Sequence, residues 1–375
     1  MIPSSIIFFE PCKDRRNTYR PKVGQGNISI GFEYIRTMIL VTGGTGLLGS
    51  HLLWRLVQEQ VPVKAIYRSE ETLKEVKTIF SYYTDKASNY FDKITWVKAD
   101  ITDVPSLEEA FVDVTHVYHT AALIAFNPAA WDSLKKINVE GTANIVNLCI
   151  AHNIEKLCYA SSIAAIGKSI DGSTVTEQNE WLETEKSVYA LSKHRAEMEV
   201  WRGSQEGLKV VIVNPGIILG PGNWDHGSLR LFKNVAKGMR AYFPGGTGFV
   251  SVNDVASIMT KLMHLEIVNE RYIAIAKNMS YQELFTMIAT SFEVRIPTKK
   301  IPFWLLEVGW RLNWLSHHFL RTKRKLTKNT VTSLRKRQLY SSRKLEKSLA
   351  FNFENMEKYI DFSCGILKTR YSDFF

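Results

Sequence analysis

The sequence predicts an α/β fold, a doubly wound parallel sheet with helices on both faces and a smaller, mostly C-terminal lobe. Three observations carry the prediction. Short apolar, β-forming runs alternate with helical segments through the first half of the chain. A glycine-rich turn separates the first such run from the first helix. Basic charge is concentrated in one late segment, while residues 38–298 are slightly acidic.

Taken in order, "MILVT" (38–42) is the first strand, and "LLGSHLLWRLVQEQ" follows with Leu48, Leu52, Leu53 and Leu56 at helical spacing. "VKAIYR" (63–68), "ITWV" (94–97), "HVYHT" (116–120) and "KLCYA" (156–160) read as four further strands, with a long helix over roughly 131–152. Strands separated by helices of this length make βαβ units, whose parallel sheet is covered on both faces. Residues 1–37 show no period of either kind, and "SIIFF" is too short for a signal-peptide core. They are expected to be a disordered extension, or to lie upstream of a true start at Met38. The division expected from these signals is 38–250 for the sheet domain, with inserts near 168–186 and 217–250. Residues 251–375 then form mainly the second lobe and a basic C-terminal region.

Composition limits the function. With 45% hydrophobic and 23% charged residues the chain resembles an ordinary soluble protein, and it has no apolar run long enough to span a bilayer. Cys12, Cys149, Cys158 and Cys364 are scattered without ligand or disulfide spacing, which fits a reducing, cytoplasmic setting. His317-His318 has no partner at metal-ligand spacing, so no metal is expected.

"TGGTGLLG" (42–49) has glycines at 43, 46 and 49 between the first strand and first helix, a variant of the Rossmann-type dinucleotide fingerprint. Gly43 permits the tight turn, Gly46 lets backbone approach a pyrophosphate, and Gly49 permits close helix–sheet packing. Thr45, Leu47 and Leu48 complete the loop and the helix N-terminus, whose free N–H groups favour an anion. Strand two ends with Arg68, where an acid would select the ribose hydroxyls of NAD. A guanidinium there suits the 2′-phosphate of NADP, with Lys74 one helical turn on, so NADP is favoured and NAD is the alternative.

"YASSIAAIG" (159–167) places Ser161 and Ser162 beyond the fifth strand, at the sheet edge where ligands bind. In "VYALSKHRAEMEVW", Tyr189 and Lys193 lie four apart and share one helix face. Three polar groups can therefore converge beside a nicotinamide.

These motifs resemble the extended short-chain dehydrogenases/reductases, the NAD(P)-dependent epimerase/dehydratase superfamily, over essentially all of 38–375. The likeness rests on "TGGTGLLG", "VKADITD" (97–103), "VYHTAAL" (117–123), Ser162 with "YALSK", and "NPGIILGPG" (214–222). "VKAIYR" and "LYSSRKLEKSLAFNFE" make the dihydroflavonol-reductase and 3β-hydroxysteroid-dehydrogenase branch the most similar. The resemblance implies that Tyr189 is the proton donor or acceptor, Lys193 lowers its pKa and binds the nicotinamide ribose, and Ser162 holds the substrate oxygen. It also implies Asp100 and Ile101 at the adenine, Ala121 and Ala122 along the cofactor, and Pro215 with Ile217 near the carboxamide. Counting back from Gly167 favours Ser162 over Ser161. His119 is expected to pack near the cofactor without a catalytic role.

The expected activity is hydride transfer between the nicotinamide and a ketone or secondary alcohol. Dehydration lacks its acid, because Ile163-Ala164 stand where dehydratases of this superfamily usually carry Asp-Glu. The alternatives are a sugar-nucleotide epimerase retaining NAD, and a non-catalytic cofactor-sensing protein. Phe126, Trp131, Trp181, Trp224 and Phe249 suggest a pocket for an aromatic or lipid-like small molecule. A homodimer is held open, and no nucleic acid is expected. "SYQE" (280–283) is a capping box opening a helix to about Phe292. Aromatic-rich 302–320, followed by "RTKRK", roofs the cleft, presents a solvated basic face, or makes peripheral membrane contact through 302–325.

Overall fold

The computed structural model describes residues 37–169, 172–182, 187–223, 225–320, 328–335 and 337–372, the side chains of 315–320, 328–330 and 333 excepted. The expectations for residues 1–36, Trp224, the tips of the 168–186 insert, the His317-His318 side chains and 321–327 lie outside the described residues.

The strands are β1 (Ile39–Thr42), β2 (Val63–Tyr67), β3 (Ile94–Lys98), β4 (His116–His119), β5 (Lys156–Ala160), β6 (Val210–Pro215), β7 (Ile217–Leu219), β8 (Ala241–Tyr242), β9 (Gly246–Ser251), β10 (Glu270–Ala274), β11 (Lys277–Ser280) and β12 (Lys299–Lys300). Seven form one sheet in the order β10-β6-β5-β4-β1-β2-β3. Every pairing in it is parallel. This is a doubly wound Rossmann-like sheet whose strand order reverses between β1 and β4, the crevice where such folds bind ligands. Central strands β1, β5 and β6 are buried along their whole length because helices cover both faces. Each fully buried Val, Ile or Leu contributes about 1.5–3 kcal/mol of transfer free energy.

The chain re-joins this sheet after residue 250, which differs from the expected division. Helix Val252–His264 packs its buried apolar face in the same core as the first helix, Leu47–Gln58, and β10 adds the seventh strand. "ERYIA" is too short and too mixed to read as a strand until β6 offers it a parallel partner.

The second lobe gathers β7, β9 and β11 with helices Leu229–Ala236, Tyr281–Phe292 and Met356–Arg370 around a separate apolar cluster. The Ser280–Glu283 capping box forms as expected, and its helix ends at Phe292. Phe249 is fully buried in this cluster, so it is a core residue and not part of a substrate lining. Arg370 ties the lobe to helix Glu70–Ser81 through two 2.9 Å bonds to Glu75. The long helix expected over 131–152 is present, but it is interrupted by a π-helical segment, Lys135–Glu140. No helix among the described residues is long and apolar enough to cross a membrane.

Candidate active site

The turn after β1 is made of backbone. Gly43 has φ +71°, and a Cβ there would meet the Ala121 nitrogen at 2.5 Å, so the chain leaving β4 passes directly over the turn. A Cβ on Gly49 would lie 2.1 Å from the Gly43 carbonyl oxygen, so only glycine lets the first helix turn close on the loop. Gly46 differs. Its nearest neighbour would be the Gly43 oxygen at 3.4 Å, leaving open space above it. Gly46 also caps the helix Leu47–Gln58 with no side-chain acceptor, so the first-turn N–H groups are left for an anion. This cradle fits a dinucleotide pyrophosphate. Thr45, Leu47 and Leu48, in the loop and the helix start, are each partly exposed, and Ala122 is exposed next to Ala121.

At the end of β2 the Arg68 side chain is 70% exposed, and its guanidinium faces the Asp100 carboxylate at 3.9 Å. The other Asp100 oxygen accepts from the Thr102 amide and hydroxyl, each at 2.9 Å. The exposed guanidinium could hold an anionic group of a cofactor, in exchange for its pairing with Asp100. Lys74 is exposed on the following helix. Ile101 has its side chain committed to packing, since a Cβ on Gly141 would meet it at 2.7 Å.

The turn after β5 is made of side chains. Ser161 is buried and donates to Glu197 Oε2 at 2.6 Å, which also accepts from Asn214 Nδ2 at 2.8 Å. Asn214 Nδ2 additionally donates to the Ser162 carbonyl at 3.0 Å, and Arg271 Nη1 reaches the other Glu197 oxygen at 3.1 Å. Arg271 in turn holds the Glu177 carbonyl, and the Glu177 carboxylate accepts from the Ile273 amide at 2.9 Å. Ser161 is thus consumed by structure. The partly exposed Ser162 accepts from the Ala164 amide at 3.1 Å.

Helix Val188–Gln205, capped by Ser187 at Ala190, carries Tyr189, Lys193 and Glu197 on one face. Burial pushes the Tyr189 phenol up to about 12, with the neighbouring Ser162 hydroxyl acting in the opposite direction. Burial lowers Lys193 to about 7, against the attraction of Glu197. Lys193 Nζ donates to Tyr159 Oη at 2.6 Å and to the Ala160 carbonyl at 3.0 Å. The Tyr159 ring stacks on His119 at 5.3 Å, His119 Nε2 meets Thr142 Oγ1 at 3.0 Å, and His119 Nδ1 meets Thr42 Oγ1 at 2.6 Å. Burial lowers His119 to about 3, so it is a neutral structural link.

Several of these residues were not singled out from sequence. Asn138, inside the π-helical segment, clamps Leu123 by donating to its carbonyl and accepting from its amide, and also donates to Ser192. No local signal marks it. Glu197 had one, its i,i+4 spacing from Lys193. Phe126 stands edge-on to Tyr189 at 5.3 Å and is 54% exposed. Trp181 is stacked on His194 at 4.1 Å, and Trp131 carries the Arg195 guanidinium at 5.3 Å. Pro215 is buried at the end of β6, and Ile217 opens β7 half-exposed.

Known proteins resemble this chain in sequence and fold. The model of the NAD dependent epimerase/dehydratase family matches residues 39–275. A putative dihydroflavonol 4-reductase of Synechocystis sp. is 29% identical over 285 residues, covering 72% of this chain and 77% of the relative. A decarboxylating sterol-4-alpha-carboxylate 3-dehydrogenase of Schizosaccharomyces pombe is 29% identical over 51% of this chain and 54% of its own length. The UDP-glucose 4-epimerase of Thermus thermophilus, solved in complex with NAD, superposes with a TM-score of 0.66 at 21% identity, covering 88% of this chain and 99% of the epimerase.

Proposed function

Since the chain belongs to the NAD dependent epimerase/dehydratase family and is an NAD(P)-dependent oxidoreductase, we propose that it uses NADPH to reduce a ring-bearing or lipid-like ketone to a secondary alcohol. The observation that carries this reading is the helix face bearing Tyr189 and Lys193, with Lys193 bonded to the Ala160 carbonyl at the end of β5. It lies beyond β5 on the same sheet edge as the glycine cradle. The bound nicotinamide supplies the hydride.

The residues divide the remaining work. Ser162 and Tyr189 hydrogen-bond the substrate oxygen, which becomes more basic as its carbon is reduced. Tyr189, protonated throughout the neutral range, donates the proton that completes the alcohol. The phenolate left behind is stabilised by Lys193 in its protonated form, one helical turn along. Glu197, Asn214 and Arg271 hold the serine turn in register with the helix. Exposed Arg68 takes the 2′-phosphate of NADPH. Phe126, edge-on to Tyr189, favours a flat apolar substrate, in keeping with relatives named for dihydroflavonol and sterol substrates.

A screen of flavonoid-like, steroid-like and small aliphatic ketones, followed by loss of NADPH absorbance, tests the proposal. Turnover of a ring-bearing ketone supports it. Reaction of sugar nucleotides alone, with no net cofactor consumption, replaces it with the epimerase reading.

A further inference from the structure

Helix Phe303–Leu320 presents apolar side chains where solvent should meet polar ones. Trp304 is 65% exposed, Leu305 47%, Val308 42% and Leu312 59%. Positions 304, 308 and 312 follow one another at i+4, and 305 lies beside them, so the four form a single stripe. The opposite side is apolar as well: Leu306 is buried, and Phe303 and Trp310 are half-buried. The helix is therefore seated by one apolar side and offers a second outward. One exposed leucine needs no explanation, but four large apolar side chains in one stripe mark a binding surface.

Charge identifies the occupant. Residues 299–347 contain 14 lysines and arginines against two acids, an excess of 12 that exceeds the +11 of the whole chain. Lys299 and Lys300 are exposed just before the helix and make no ion pair among the described residues. Arg335 lies over the Phe303 ring at 4.3 Å, and Arg311 stands on the exposed side between Val308 and Leu312, paired with Glu307. A second copy meeting this face isologously would set two such basic segments against each other. Nucleic acid would match the charge but leave the apolar stripe in water. An anionic lipid surface satisfies both, with apolar side chains in the acyl boundary and cations among the headgroups. The helix does not qualify as a membrane span, so it lies flat on such a surface.

We propose that the outward stripe Trp304, Leu305, Val308 and Leu312 of helix Phe303–Leu320, with Lys299 and Lys300 before it, docks the protein on an anionic membrane surface. Cosedimentation of the full chain with phosphatidylcholine vesicles, with and without phosphatidylserine, tests this. Binding to the phosphatidylserine vesicles, weakened by salt, is expected. Trp304→Ser with Leu312→Ser should lower partitioning by roughly tenfold or more, since two large apolar groups lose their burial. Lys299→Glu with Lys300→Glu should lower it by at least about fivefold per reversed charge. Both sets of positions are exposed, so melting temperatures should match the wild type. No vesicle binding by the wild type, equal binding to neutral vesicles, or unchanged binding by the apolar variant would overturn the proposal. A sedimentation-velocity dimer that the apolar variant abolishes, without vesicle binding, would assign the face to self-association instead.

Discussion

The turn after β1 and the turn after β5 sit on one edge of one sheet, yet they are built from opposite materials. The first is backbone, with three glycines, an uncapped helix N-terminus and open space above Gly46. The second is a set of side chains in which Ser161, Asn214 and Arg271 all bond to Glu197, and Ser162 and Tyr189 lie outside that network. A backbone site tolerates change until a new atom fills it. A side-chain site fails when a single partner is removed, because a buried polar group left unpaired costs about 1–3 kcal/mol.

The sharpest test of the second turn is Tyr189→Phe. Only the phenolic oxygen is lost, so folding and cofactor binding should survive while turnover falls by roughly 10²–10⁴. Wild-type turnover by this variant in a steady-state assay would remove Tyr189 from the mechanism.

Two glycine variants separate the jobs within the first turn. Gly49→Ala forces a Cβ to within 2.1 Å of the Gly43 carbonyl, so both melting temperature and NADPH affinity should drop, with about 1–3 kcal/mol lost from stability. Gly46→Ala meets nothing closer than 3.4 Å in the protein. Its melting temperature should be unchanged, while its new methyl occupies the space proposed for the pyrophosphate and weakens binding. Calorimetric titration of both proteins checks this. Equal NADPH affinity in wild type and Gly46→Ala would place the dinucleotide elsewhere.

A more selective effect is expected at Arg68, whose exposed guanidinium faces Asp100. Arg68→Ala should weaken NADPH by about 1.5–3 kcal/mol, the range for a charge-assisted bond, and leave NADH nearly untouched. Equal losses for the two cofactors, measured by fluorescence titration, would make Arg68 a general contact and not a selector.

The contrast between the turns also explains what was legible in the sequence. β1, β5, the first helix and the capping box at Ser280 were readable because their signals are local: apolar runs, glycine spacing, Ser with Glu three residues on. The glycine cradle belongs to the same class. The Glu197 network was not readable, because its members lie far apart in sequence and meet only when β5, β6 and β10 pair. β10 was missed for the same reason. Asn138 depends on a π-helical segment that no periodicity announces. Among the aromatics, composition could not separate Phe249, which fills the second lobe's core, from Phe126 beside Tyr189.

Lys193 belongs to both themes, since a group proposed for the chemistry is held where burial opposes its charge. An unfolded lysine keeps the ordinary value of 10.5, while burial holds the folded one at about 7. Between those values the unfolded chain binds more protons, so this residue makes stability rise with pH across that window. Below about 7 both states are protonated, and the full penalty, a few kcal/mol, is present. Lys193→Met removes it. The variant should therefore melt a few degrees above wild type near pH 6, and the gap should narrow toward pH 10, while turnover is lost. The same titration should appear in wild-type kcat/KM for ketone reduction, which should fall as pH rises through about 7 because neutral Lys193 no longer stabilises the phenolate. Melting curves across this range decide the matter. A variant less stable than wild type near pH 6 would mean that the attraction of Glu197 and the bonds to Tyr159 and Ala160 outweigh the cost of burial.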